Sequence, residues 1–378
     1  MARSVHAYVR GNTAKFYEWL EASPTASGIP QGPPVWICGD CHLGNLGPLA
    51  DAEHRIDIQI RDLDQTVIGN PAHDLIRLGL SLETAARSSD LPGVTTARMV
   101  EAMIDGYARA LTPEIDDDPM EPGVVRSVRR AAAGRRWRHL AEERIGDTRP
   151  TIPLGKRFWK LSAEERKAID ALFAEEEVRR RALELADLDD DGRIEVVDAA
   201  YWRKGCSSLG TLRFAVLLEL SGADAKHGHL ALVDIKEAVR SVAPAANDVA
   251  MPRDPAMRVV AGARALSPNL GERMVPARLL GKPVVLRELA PQDLKIEVEQ
   301  FSRKEAIAAA SYLAFIIGAA HARQLSDEAR RAWAAQLTKP SAGNLDAPSW
   351  LWKSIVEMAA AHEAGYLEHC RRFALAAP

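Results

Sequence analysis

The period of the hydrophobic positions changes several times along the chain, and each change predicts an element. RIDIQIRDLD, residues 55–64, alternates apolar and polar side chains with period two, the pattern of a half-buried strand, and it ends in carboxylates. GNPAHDLIRLGLSLETAARSS then spaces Leu75, Leu78 and Leu82 along one helical face, and further helical segments are expected at about 95–112 and 123–145. Residues 162–187 are rich in Ala, Leu, Glu and Arg, which predicts one long helix. After an acidic turn at Asp190–Gly192 the pattern becomes strand-like: TLRFAVLLEL (211–220) reads as a mostly buried strand, and LALVDIKEAV (230–239) as another. A helix over about 255–267, a hairpin around Leu280-Gly281-Lys282, and helices over 302–323, 326–337 and 348–374 complete the pattern. The expected class is α+β, with a small β-rich lobe between helical segments.

With 378 residues, 47% of them hydrophobic, the chain is long enough to bury a large core or to form two lobes. The formal charge of −3 leaves no global field favouring nucleic acid or an anionic membrane, so neither partner is expected. The N-terminal stretch lacks an apolar signal core, and the longest uncharged stretch, 306–320, is shorter than the ~20 residues that cross a bilayer. A cytoplasmic location is the expectation. Four cysteines in a reducing compartment argue against a disulfide framework.

The densest chemistry lies in VWICGDCHLGN, residues 35–45. Cys38-Gly-Asp-Cys41-His42 has the spacing of c-type haem attachment, and a nearby tryptophan also fits a redox turn. The haem reading belongs to exported proteins and the redox reading needs activated thiols. Ignoring the cysteines, Asp40 and Asn45 have the spacing of a phosphotransferase catalytic loop. Phosphoryl transfer needs a group that orients or deprotonates the acceptor hydroxyl, which suits Asp40, and oxygen ligands for Mg²⁺, which suits Asn45 and Asp62. Asp64 shares a strand face with Asp62 and is a further candidate ligand. His42 is expected to brace the loop, and Asp74 to meet free amides at a helix start.

GCSSLG, residues 205–210, lies between two strand-like runs rather than between a strand and a helix, which argues against a Rossmann turn and a Walker A loop. As a glycine-rich hairpin, Gly205 and Gly210 would let backbone approach phosphates, while Ser207 and Ser208 supply donors. Lys236, in the next apolar strand, stands where a kinase-like lysine would pair phosphates. Asp187 to Asp198 imitates a calcium-binding loop, but the VVDAAYW run after it reads as strand rather than exit helix, so an acidic turn is the preferred reading.

Taken together, Gly39-Asp40-x-His42-x-x-Asn45, Asp62-Leu-Asp64 and Gly69-Asn-Pro-Ala-His-Asp74-Leu75 resemble the motif segment of aminoglycoside phosphotransferases and related small-molecule kinases. The chain also resembles the DUF2252 proteins, which carry the same acidic motifs and a later glycine loop. The resemblance implies a kinase-like two-lobe fold using ATP and Mg²⁺, with catalytic Asp40 and His42, metal ligands Asn45, Asp62 and Asp64, and a nucleotide site of Gly205, Ser207, Ser208, Gly210, Lys236 and hinge residues Glu288 and Leu289. Motif order is reversed relative to kinases, which implies a circular permutation. Residues 1–187 and 291–378 would then form the helical lobe, and 188–290 the nucleotide lobe. Cys38 stands where the phosphotransferases have histidine, and the segment 255–267 has no glutamate to pair with Lys236. The implied activity is phosphotransfer to a small-molecule hydroxyl. The alternative, from another class, is a non-catalytic nucleotide-binding scaffold.

Overall fold

The computed structural model describes residues 4–51, 55–112, 120–135, 151–184, 188–203, 210–222, 228–290, 293–294, 296, 302–337 and 347–374. In chain order these form α1 (Val5–Arg10), α2 (Thr13–Ala22), β1 (Val35–Ile37), β2 (Leu46–Ala50), β3 (Ile56–Ile60), β4 (Val67–Gly69), α3 (Ala72–Ser88), α4 (Gly93–Ala110) and α5 (Gly123–Ala133). Then follow β5 (Phe158–Trp159), α6 (Ala163–Ala174), α7 (Glu176–Glu184), β6 (Arg193–Trp202), β7 (Arg213–Ser221), β8 (His229–Glu237), α8 (Pro255–Leu266) and α9 (Pro268–Gly271). The chain closes with β9 (Met274–Leu279), β10 (Lys282–Glu288), α10 (Arg303–Ala322), α11 (Asp327–Leu337) and α12 (Ser349–Ala374). The fold is mixed α+β with small antiparallel sheets.

Six strands form one antiparallel sheet in the order β5-β6-β7-β8-β10-β9, and α8 and α9 lie in the connection from β8 to β9. The β9–β10 turn is made by Leu280 (φ 52°) and Gly281 (φ 76°), two left-handed residues in succession, which matches the twist of a two-residue hairpin. One face of the sheet, with Phe214, Val216, Leu218, Ile235, Val284 and Leu286, packs on Ile169, Leu172, Phe173 and Val178 of α6 and α7. On the other face, Ala215, Leu217 and Leu232 pack with Phe158 and Trp202. Burial on both faces explains why β7 and β8 read as nearly continuous apolar runs. The elements of the sheet layer therefore begin at Phe158, ahead of the composition change at 188.

The long helix expected over 162–187 is two helices. Ser162 caps α6 in a reciprocal box with Glu165, and Glu175, with ψ at 130°, leaves the helical region and breaks the run. Two small ribbons pair β1 with β4 and β2 with β3, and of these four strands only β3 showed its period in the sequence. The pairing Ile37↔Val67 brings the loop after β1 beside the loop before β4. These ribbons and most helices share one large hydrophobic core.

Within that core α4 packs closely against α10, and more than half of the apolar stretch of α10 is buried. That helix is long and apolar enough to cross a membrane by length and composition, yet it serves here as a core helix. A Cβ at Gly106 of α4 would lie 2.1 Å from the carbonyl oxygen of Ser311 in α10. Alanine gains up to about 1 kcal/mol of helix propensity over glycine, whereas overpacking a rigid helix contact costs about 1–3 kcal/mol. Gly106→Ala is therefore expected to lower the denaturation midpoint, read by chemical unfolding, rather than raise it.

Candidate functional site

The loop after β1 is held from every side. Asp74, in the first turn of α3 and fully buried, accepts the backbone N–H of Cys38 at 2.7 Å with one oxygen and that of Gly39 at 3.0 Å with the other. Gly39 has φ +75° and a Cβ there would meet the Gln65 carbonyl oxygen at 2.2 Å, so only glycine fits. The Tyr17 hydroxyl donates to the Gly39 carbonyl at 2.7 Å, and the Thr66 hydroxyl to that of Ile37 at 2.6 Å.

Behind Asp74 runs a buried polar chain. The indole N–H of Trp333 donates to the Tyr107 hydroxyl (3.3 Å), which is 2.8 Å from Nδ1 of His321, whose Nε2 is 3.3 Å from Asp74. An indole only donates, so the Tyr107 hydroxyl is free to give its proton to Nδ1, and Nε2 then carries the hydrogen aimed at Asp74. The chain links α11, α4 and α10 to the loop at 38–39.

Asp40 accepts Nε of Arg77 at 2.8 Å, and Arg77, 1% exposed, also donates to the Val9 carbonyl at 2.7 Å. The Asn45 amide donates to the Asp40 carbonyl at 3.0 Å. His42 lies 4.0 Å from the Asp40 carboxylate, and burial pulls its imidazole down to about 3. His42 is thus neutral at pH 7.

Asp62 and Asp64 follow β3, and both meet Lys236 of β8, which lies 172 residues beyond Asp64 in the chain. Lys236 donates to Asp64 and lies 3.9 Å from Asp62. Burial would raise both carboxyls. For Asp62, half of whose side chain is open, the Lys236 charge and the Asp64 N–H outweigh burial and hold it well below the usual range. For Asp64, burial and the neighbouring Asp62 charge win and push it up. Lys236 is pushed up, because the two carboxylates overcome its desolvation.

These groups line a cleft of about 250 Å³ whose walls include Asn45, Asp62, Asp64 and Lys236. The sheet adds Arg213, Asp234 and Arg287 to its floor, and Arg61 stands beside Asp62. Arg213 makes a buried two-pronged pair with Asp234, 3.0 and 2.5 Å, and stacks on Trp202. The sequence reading missed Arg61, Arg77, Arg213, Asp234 and Arg287. The available signal was a charged residue inside an otherwise apolar run, as in DLIRLGL, LRFAVLL and PVVLREL.

The predicted residues separate into groups. Asn45, Asp62, Asp64 and Lys236 are brought together on the cleft, while Asp40 and His42 sit in the adjoining loop against Arg77. Glu288 and Leu289 are not cleft walls: the Leu289 N–H is spent on the Leu232 carbonyl, and the Glu288 carbonyl accepts from Arg273. Gly210 takes the left-handed conformation (φ +82°) just before β7, whereas Gly205, Ser207 and Ser208 lie outside the described residues.

Cys38 and Cys41 are free and fully buried. Their mutual hydrogen bond and then burial push the Cys38 thiol well up, and burial raises Cys41. The redox reading fails for want of a thiolate near neutral pH. The calcium imitation fails too, because 193–202 is strand and the Asp198 carboxylate accepts the N–H groups of Ile152 and Ala199; Asp187 lies outside the described residues. Among the described residues no three acidic, histidine or cysteine side chains form a ready metal cage.

Over residues 1–372 the chain matches the family described as "Uncharacterized protein conserved in bacteria (DUF2252)". It has no match among curated proteins or solved structures.

The histidine buried beside Asp40 gives the site a pH signature. Unfolded His42 takes up a proton near 6.5, but the folded residue does so only near 3. Its contribution is therefore whole above pH 6.5 and declines as pH falls, by about 2 kcal/mol at pH 5. In urea unfolding from pH 7.5 to 5, His42→Gln should flatten the stability slope by close to one proton.

Proposed function

The chain belongs to the DUF2252 family, and we propose that it is a kinase-like phosphotransferase that uses ATP and Mg²⁺ on a small-molecule hydroxyl, in a permuted two-lobe frame. One observation carries this reading: carboxylates from the first fifth of the sequence and a strand lysine from beyond its midpoint face one cleft. The strand layer supports it further. A left-handed glycine stands between β6 and β7, the lysine is on the third strand of that run, and a helix follows, the order of parts in a kinase nucleotide lobe.

The roles follow from the chemistry of the side chains. Lys236 suits the donor phosphates. Asn45 and the half-open Asp62 suit a small hard cation, which is held by one or two carboxylates together with phosphate oxygens and water rather than by a protein cage. Mg²⁺, when bound, neutralises charge on the phosphates. Asp40, paired to Arg77, orients the acceptor hydroxyl and accepts its hydrogen bond. The glutamate that pairs the lysine in kinases is replaced here by Asp64. The helix in the corresponding place, α8, instead offers Arg258, which donates to the carbonyls of Asp64 (2.9 Å), Thr66 and Val239 (2.9 Å) and so ties α8 to the acidic loop.

A second reading has its own observation. Lys236 is engaged directly by Asp64, an arrangement that also suits a scaffold that holds nucleotide without transferring phosphate. Turnover separates the two: ATP consumption with some hydroxylated acceptor supports transfer, and binding without consumption across a broad panel supports the scaffold.

Asp62→Ala is expected to abolish the Mg²⁺-dependent rise in melting temperature caused by ATP, since that rise measures binding to the folded state alone. Lys236→Ala should weaken nucleotide affinity by about tenfold or more while leaving the far-ultraviolet circular dichroism unchanged. Wild-type nucleotide binding in both variants would refute the assignment.

A further inference from the structure

Beside the same cleft, three guanidinium groups meet around Asp293. Arg273 and Arg287 donate to its carboxylate at 2.9 and 2.8 Å, and Arg61 donates to its backbone carbonyl at 3.0 Å. Arg287 also donates to the Arg61 carbonyl at 3.0 Å, so the two arginines that line the cleft are locked side by side. The Nε atoms of both are buried without a hydrogen-bond partner among the described residues. Asp62, next to Arg61 in the chain, lies 3.9 Å from Lys236 and shares its charge with that lysine. Burial and the Arg287 charge pull Arg61 down to about 10, the mark of a cation short of counter-charge.

Arg273 and Arg287 take the one Asp293 carboxylate while Arg61 has only its backbone carbonyl, so the partly buried Arg61 and Arg287 keep donors and charge that an oxyanion would satisfy, and the planar fork of arginine fits carboxylate and phosphate alike. We infer that the Arg61–Arg287 corner is an oxyanion site that holds a carboxylate or phosphate of the acceptor, so that the acceptor is an anionic hydroxyl compound of the sugar-phosphate or hydroxy-acid class. The word acceptor rests on the phosphotransfer reading; the anion site itself does not.

The test uses the full-length protein in phosphate-free buffer at low ionic strength, with three matched probes: glycerol 3-phosphate, glycerate and glycerol. Isothermal titration and thermal shift should show binding of one or both charged probes and none of glycerol. Arg287→Gln should weaken that binding by about tenfold or more, and by a larger factor than Lys236→Ala does. If Arg287→Gln unfolds, Arg61→Lys, which keeps the charge but loses the fork, should weaken the charged probes to a smaller degree. Failure of both charged probes to bind, glycerol binding as well as glycerol 3-phosphate, or loss in Lys236→Ala without loss in the arginine variants, overturns the proposal. Charged-probe binding that survives in a protein unresponsive to ATP with Mg²⁺ would instead refute phosphotransfer and leave the anion site standing.

Discussion

A carboxylate with no access to water must be surrounded by donors, and much of the site's geometry depends on how Asp74 meets that demand. Its two oxygens take the amides of Cys38 and Gly39, and its third neighbour, His321, is itself oriented through Tyr107 and Trp333. A buried acceptor left without such partners would cost about 1–3 kcal/mol for each lost bond, so the loop and the helix bundle specify each other. With residues 38 and 39 pinned and Gly39 forced close to Gln65, Asp40 has little freedom, and Arg77, one turn beyond Asp74 on the same helix, receives its carboxylate. One helical turn thus sets both the backbone and the side chain of the loop.

The same principle organises the cleft, where charged groups are arranged as neighbours of opposite sign. Lys236 faces Asp64 and Asp62, Arg213 faces Asp234, and the arginines near Asp293 share one carboxylate. The first set has more anion than cation and the second is matched; only the third has more cation than anion. In a partly desolvated groove such a surplus is expensive unless a ligand supplies the missing charge, which is why the arginine corner stands out from the rest of the floor.

Much of the secondary structure was legible in the hydrophobic period. The strands at 56–60, 213–221 and 229–237, the hairpin turn at 280–281 and the helices from 303 onward follow from patterns of two or 3.6 and from residues able to turn. The break at Glu175 was not legible, because glutamate and its neighbours are good helix formers and only packing of two short helices on a sheet decides that the chain bends there. The clustering of Asn45, Asp62 and Asp64 was readable as motif spacing. Their meeting with Lys236 was expected only through resemblance, since no local pattern encodes a contact between residues so far apart.

By itself the sequence determined the α+β class, the family, the acidic loop residues and the lone lysine in an apolar strand, because these are properties of local period, residue type and spacing. Tertiary structure decided what surrounds them. Glu288 and Leu289 looked available as hinge residues, yet the Leu289 N–H is taken by the Leu232 carbonyl and the Glu288 carbonyl by Arg273. Cys38 and Cys41 had redox spacing, yet burial keeps their thiols protonated. The arginines at 61, 77, 213 and 287 were not singled out by sequence, and folding gave each a carboxylate or carbonyl partner. Burial and pairing are set by chain segments distant in sequence, and those are the quantities that turn a side chain's chemistry into a site.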